Sequence, residues 1–462
     1  MSITRRNVLF SSIGAAVTGL FARNAGAQHE HHQTPATPPP AKPPAAEHKA
    51  QKPAAPKGNA RRSSLITPNV GPSLPYRMVG GVKEFHLIAE PVRREFAPPT
   101  VPGGTDGFNV NCWGYNGSTP GPTIEAFEGD RVRILVTNKL PEGTSVHWHG
   151  FIIPNGMDGV SGLNQPKIGP GETYAYEFTL KQTGTLMYHP HFDEMLQIAL
   201  GMHGFFVIHP RDAKVRAVDR DFAIFLNEWS IKPGTATPDP TVMLDFNTFT
   251  FNSRVFPGTD PLLVRTGDRV RLRIANLSMN SHPIHFHGHK FWVTGTDAGP
   301  IPRTAWTPEN TVNVPVGTTR DIEFLADNPG DWALHCHKSH HVMNQMGHDL
   351  PNLLGIDPAS TQQRLDALTP GTMVMGTAGM GDMAEHMKVM PVPRNSVPMR
   401  GGDGPYGPID MGGMFTILKI RDDMNYDRDP GWYRQPKGTS PWRVDSMSTT
   451  PAQAPLHEGH GE

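Results

Sequence analysis

Cys336 stands in the run His335-Cys336-His337-Lys338-Ser339-His340-His341-Val342-Met343-Asn344-Gln345-Met346. Alternate side chains of a strand face opposite ways. If 335–337 is extended, the Cys336 thiolate faces one side while His335 and His337 face the other. The thiolate can then ligate one metal while its two neighbours ligate another. His341, five residues on, and Met346, five further, are spaced to join the thiolate's metal. A thiolate, imidazoles and a weak thioether describe a blue-copper electron-transfer site, once a second histidine is found. The run therefore proposes two adjacent metal centres joined through the chain itself.

Three more His-x-His pairs follow the same pattern: His147-Trp148-His149, His189-Pro190-His191 and His285-Phe286-His287. The last is preceded by His282-Pro283-Ile284, so His282 can supply the second imidazole for the thiolate's metal. Four strand-borne pairs carry eight imidazoles, enough for a cluster of three ions. A lone histidine is usually structural. Eight in four matched pairs, one pair flanking a cysteine, are not.

In the order HWH, HPH, HPIHFH and HCHKSHHVMNQM, these motifs resemble the multicopper oxidase family, which carries HWH, HSH, HPxHxH and HCHxxxHxxxxM. Tyr115-Asn116-Gly117-Ser118-Thr119-Pro120-Gly121-Pro122-Thr123-Ile124, Glu128-Gly129-Asp130 and Met157-Asp158-Gly159 carry the same resemblance. It implies four copper ions per chain. His282, Cys336, His341 and Met346 would hold the type 1 ion, with Met414 as rival axial ligand. His147 and His285 would hold type 2, and His149, His189, His191, His287, His335 and His337 the type 3 pair. The implied activity is one-electron oxidation of a small reductant, either cuprous ion, giving a role in copper tolerance, or a phenol, coupled to reduction of dioxygen to water. Asp158 occupies the place of the family's cluster-side aspartate and is the candidate proton relay; its alternative is a turn aspartate before glycine. Some relatives add a glutamate after the last histidine of the fourth motif. Here that position is Val342, which leaves Asp193 and Glu194 as the remaining candidates. His289, His340 and His348 lie outside the motifs and read either as partners behind the metal ligands or as structural.

Strands must position these residues. Apolar/polar alternation runs through Arg131-Val132-Arg133-Ile134-Leu135-Val136, Tyr174-Ala175-Tyr176-Glu177-Phe178 and Val270-Arg271-Leu272-Arg273-Ile274, punctuated by Gly, Pro, Asn and Asp. That is the pattern of an all-β sandwich. It also repeats. Glu128-Gly129-Asp130-Arg131-Val132-Arg133 leads to a strand and then HWH; Thr266-Gly267-Asp268-Arg269-Val270-Arg271 leads to a strand and then HPIHFH. Two homologous sandwiches over 71–211 and 212–425 follow, and the resemblance makes them tandem cupredoxin-like Greek-key domains. Only the second has a cysteine in its late motif. In two-domain relatives the cluster lies between domain one of one subunit and domain two of the next, so the resemblance implies a homotrimer, a closed ring of heterologous contacts. A copper nitrite reductase is the neighbouring alternative, but that family places its thiolate in the first domain and lacks the full histidine set. A non-catalytic copper-binding cupredoxin is the other, and it would not need the strand that joins two centres.

The chain departs from its relatives after Met346. An insertion, 347–410, separates it from a final strand near Met411–Ile420, and nine of the 21 methionines fall between Met373 and Met414. Thioethers suit cuprous ion; methionine is also flexible apolar filler. Both readings stand.

At the start, Arg5-Arg6, a short apolar run and Ala25-Gly26-Ala27 read as a twin-arginine export signal over 1–27, so a periplasmic protein without a membrane span is expected. Residues 28–70 are a Pro/Ala/His-rich leader unable to bury a core, and 426–462 form a tail. A net charge of −1 with no basic block beyond the signal leaves nucleic acid little to bind. With Cys336 claimed by metal, Cys112 has no disulfide partner and reads as a small buried hydrophobe.

Overall fold

The computed structural model describes residues 65–99, 107–212, 218–232, 234–344, 394–397 and 401–443. The export signal, the leader up to residue 64, Met346, His348, most of the insertion and the end of the tail lie outside the described residues. The end of the expected leader does join the core: Leu65–Ile66 pairs in parallel with Asp221 and Phe222, and Leu65 is buried. The chain is nearly all β. Among the described residues the only α-helix is Glu194–Ala199, and none is long and apolar enough to cross a membrane.

Two sheets face each other in the first half. One orders Arg77–Val79, Val82–Ala97, Arg131–Asn138 and Thr173–Thr179, with Phe108–Tyr115 also on the long strand. The other orders Gly121–Phe127, Gly204–His209, Gly184–His189 and His147–His149. Their inward faces share Phe85, Leu87, Ile134, Val136, Trp148, Tyr188 and Phe206, all fully buried. The alternation read from Arg131–Val136 is that of a strand with one face in this core.

The second half repeats the plan. Arg220–Trp229, Arg269–Asn276, Thr318–Leu325 and Phe291–Thr296 form one sheet, and Leu262–Arg265, Phe415–Arg421, Gly330–Cys336, His282–Phe286 and Thr311–Val314 the other. In each half a parallel pair, Val82–Ala97 on Arg131–Asn138 and Arg220–Trp229 on Arg269–Asn276, continues into an antiparallel one. The matching turns agree in detail. Gly129 and Gly267 have φ of 80° and 91°, the region open to glycine. Asp130 and Asp268 each accept the backbone N–H three residues earlier, of Phe127 and Arg265.

The halves meet at Met187, Phe205, Val207, Ala223, Phe225 and Ala275. Beside them the fully buried Arg273 guanidinium grips Asp221 through two bonds of 2.8 Å and donates to Thr185 Oγ1 at 2.7 Å, whose hydroxyl donates to Asp321. Burial pushes Asp221 upward, but Arg273 and Arg271 outweigh it and hold the carboxyl below its usual range. A charge this deep is tolerated only with such pairing. Cys112 is buried beside Phe96, Phe108 and Trp229. Of the insertion, Val397 joins that cluster, and Asn395 pairs with the Asn109 backbone at 2.7 and 2.8 Å.

Candidate metal centres

The Gly330–Cys336 strand ends on its cysteine, pairing Ile284 with Cys336 and His285 with His335. Cys336 points into the second core. There Cys336 Sγ lies 3.7 Å from His282 Nδ1 and 3.5 Å from His341 Nδ1, and the two Nδ1 atoms are 3.1 Å apart. All three side chains are buried. Burial, aided by the nearby Glu228 carboxylate, pushes the thiol up to about 12, and burial with the Lys338 and His340 charges pushes His282 down to about 3. A bare thiolate is therefore not stable in this place; a cation among the three donors would make it so. Met414 is fully buried next to them, its N–H donating to His341 O at 3.0 Å and its carbonyl accepting from Cys336 N at 3.1 Å.

His335, His337, His285 and His287 gather on the opposite side of the same strand. Ring centroids lie 4.7 to 5.6 Å apart, and His287 Nε2 is 3.1 Å from His335 Nε2. His287 and His337 fall one residue past their strands, so the pairs are strand-ended rather than wholly strand-borne. In the first half His147, His149, His189 and His191 form a like quartet, with centroids 5.2 to 6.3 Å apart. His191 stands beyond the end of its strand because Pro190 has no N–H for the ladder. Carbonyls, which can only accept, fix several tautomers. His147 Nδ1 donates to Asp158 O, His189 Nδ1 to Pro190 O, His285 Nδ1 to Asn310 O and His335 Nδ1 to Cys336 O, each at 2.8 or 2.9 Å. Their Nε2 lone pairs are left for a metal. Burial holds His149, His189, His287 and His335 below the usual imidazole range, His189 at about 3, which keeps them neutral as ligands must be.

Among the described residues no ring contact or hydrogen bond joins one quartet to the other. Asp158 follows the short 3-10 turn Asn155–Met157, its carboxylate 3.5 Å from His147 Nδ1. Asp193 adopts a left-handed φ of 46° and makes no capping bond, whereas the Glu194 carboxylate reaches within 3.7 Å of both His189 and His191. His289 is stacked on Phe286, a structural placement.

Sequence reasoning missed Glu228. It sits in the buried strand Arg220–Trp229 with one oxygen, Oε1, lacking any hydrogen-bond partner, 3.7 Å from His282 Nε2 and 3.8 Å from His341 Nε2. Burial raises its pKa. The signal was present: a lone carboxylate among Phe222-Ala223-Ile224-Phe225-Leu226-Asn227-Glu228-Trp229. Glu228 also lines a cavity of about 660 Å³ that reaches from the first quartet past Met195, Met243, Phe246 and Met279.

Two β-sandwiches with a buried cysteine–histidine site and two separate histidine quartets define a copper protein of the cupredoxin type. Residues 102–213 and 233–353 match the sequence profiles described as multicopper oxidase. Laccase-2 of Botryotinia fuckeliana is 32% identical over 304 residues, 59% of this chain and 49% of the relative. Copper resistance protein A of Escherichia coli is 44% identical over 115 residues, 25% of this chain and 19% of the relative. The structure of the blue copper oxidase from Nitrosomonas europaea superposes with a TM-score of 0.53 at 25% identity, covering 73% of this chain and 85% of that one. The chain belongs to the multicopper oxidase family, whose members are copper-dependent oxidoreductases. It spans about half or less of the curated relatives just named.

Proposed function

We propose that this protein is an exported, laccase-like multicopper oxidase that couples one-electron oxidation of a small reductant to reduction of dioxygen to water. One observation carries the reading. Cys336 closes a buried two-histidine site while its neighbours His335 and His337 belong to a separate quartet with His285 and His287. The donor sets fit copper: a thiolate with imidazoles on one side, imidazoles alone on the other. Bound copper would supply one-electron transfer at the first and multi-electron chemistry at the second. The chain's own part is to hold the two sites one residue apart, keep His282, His287 and His335 neutral by burial and exclude water from the thiolate.

Each quartet supplies four histidines, and neither touches the other within the described residues. That supports a homotrimer in which His147, His149, His189 and His191 of one subunit meet His285, His287, His335 and His337 of the next. Asp158, held beside His147, and Glu194, beside His189 and His191, are the carboxylates placed to carry protons; Asp193 lacks a comparable contact. Cuprous ion is a reductant to test first. A relative is named for copper resistance, and Met195, Met243 and Met279, whose thioethers suit cuprous ion, line the cavity beside Glu228.

The test uses the full chain loaded with copper. Four coppers per chain, an intense blue band and oxygen uptake with cuprous ion or a phenol are expected. Colourless protein that consumes no oxygen would sink the proposal. Consumption of nitrite but not oxygen would assign the reductase alternative instead.

A further inference from the structure

The ring of His282 is fixed by a relay that the metal-ligand motifs do not contain. Asn276 is oriented without ambiguity. Its Nδ2 donates to the carbonyls of Asn280 and Val314 at 2.8 and 2.9 Å, and its Oδ1 accepts the N–H of Ser278 at 2.8 Å. The same Oδ1 lies 2.6 Å from Ser278 Oγ. An amide oxygen can only accept, so the Ser278 hydroxyl proton points there. The other oxygen near it, Asn280 O at 3.2 Å, is also an acceptor. Ser278 Oγ therefore turns lone pairs toward His282 Nε2, 2.7 Å away, and that nitrogen must carry the hydrogen. The neutral imidazole then has its free lone pair on Nδ1, the atom facing Cys336 Sγ and His341 Nδ1.

We infer that Ser278 is a positioning residue of the thiolate centre, setting His282 as the Nε2–H tautomer before any metal arrives. This rests on the proposed copper site at His282, Cys336 and His341. Glu228 holds the same loop in place. Its Oε2 accepts the N–H groups of Met279 and Asn280 at 3.1 Å and the Asn280 amide at 3.2 Å. With Ser278 anchored between Asn276 and this loop, the opposite tautomer would set two acceptor oxygens 2.6 Å apart with no hydrogen between them. An outer acceptor also raises the basicity of a ligating imidazole and favours the higher charge on the metal.

The test takes the full chain as wild type, Ser278→Ala and Ser278→Thr. Imidazole nitrogen NMR of the copper-free protein reads the His282 tautomer directly. Wild type and Ser278→Thr should show Nε2–H, and Ser278→Ala should lose that single state. Loaded with copper, Ser278→Ala should bind cupric ion at the thiolate centre about tenfold more weakly. If cuprous affinity is unchanged, that tenfold converts to a potential about 59 mV higher for a one-electron couple. The threonine variant should restore both. A wild-type Nδ1–H tautomer would overturn the inference, as would an alanine variant with the wild-type tautomer and potential. If the alanine variant does not fold, the wild-type and threonine tautomers still decide. A wild type that binds copper without a blue band would instead remove the copper-site reading, while the tautomer measurement would stand alone.

Discussion

His203 gives the sharpest quantitative test of how this fold treats buried histidine. Its ring is fully buried, lies 4.2 Å from the Phe225 ring and has no hydrogen-bond partner on either nitrogen. Burial alone pushes its pKa down to about 3, against about 6.5 in an unfolded chain. The sign follows from linkage: a group with a depressed folded pKa contributes stability that is fully present above about pH 6.5 and is lost as pH falls toward about 3. At pH 4.5 the unfolded chain has gained this proton and the folded chain has not. Two units at 1.36 kcal/mol each put the loss at about 2.7 kcal/mol. Substituting His203→Leu removes the term and keeps an apolar side chain of similar size. Its packing cost or gain is the same at both pH values and cancels. Urea unfolding of copper-free wild type and variant at pH 7 and pH 4.5 isolates the difference, because every other titratable group is common to both. Wild type should lose about 2–3 kcal/mol more than the variant between the two conditions. Equal losses would show that the buried ring is hydrated or protonated and refute the reasoning.

Three further perturbations test the scaffold around the metal sites. Arg273→Met leaves the fully buried Asp221 with Arg271 at 3.4 Å, and should cost about 3–5 kcal/mol in chemical denaturation; adding Asp221→Leu should recover part of it, and a single-variant loss below about 1 kcal/mol would show the pair is not needed. Gly159 has a φ of 87°, and a Cβ there would overlap the Val146 carbonyl. Gly159→Ala should therefore displace the Asp158 carbonyl that fixes His147, lowering the copper content of the histidine cluster, measured by metal analysis, more than that of the thiolate site. For the axial position, Met346→Leu should shift the blue band and the potential, while the volume-conserving Met414→Leu should cost under about 1.5 kcal/mol of stability and leave the spectrum alone; the reverse outcome gives the axial role to Met414.

The sandwiches were legible because strand faces advertise themselves. Val132, Ile134 and Val136 alternate with Arg131, Arg133 and Leu135, and the first three are fully buried. The histidines were legible because a ligand's residue type is its chemistry: His282, Cys336 and His341 could be grouped before any fold was known, and they converge. Glu228 and Ser278 were not, because an outer partner is defined by where a backbone turns. Ser278 is one serine in Asn276-Leu277-Ser278-Met279-Asn280 until the Asn276 amide bonds across to Val314, 38 residues away. The polar joint between the halves was hidden for the same reason. Arg269, Arg271 and Arg273 alternate as on a solvated face, yet Arg271 and Arg273 are buried, because Asp221, Asp321 and Glu323 arrive from neighbouring strands.

That joint bears on the chemistry. Thr185, which Arg273 and Asp321 hold, and His189, whose Nε2 faces the first quartet, lie on one six-residue strand. The strand is bonded on both sides, to Gly204–His209 and to His147–His149. A ligand displaced by even an ångström weakens a metal site, so rigid support of its strand is worth a buried ion pair that contributes little net stability by itself. The charge network therefore reads as a device for registering the first quartet against the second half of the chain. If so, the Arg273→Met, Asp221→Leu double variant should recover stability without recovering copper content at the histidine cluster. Recovery of both would reduce the network to packing.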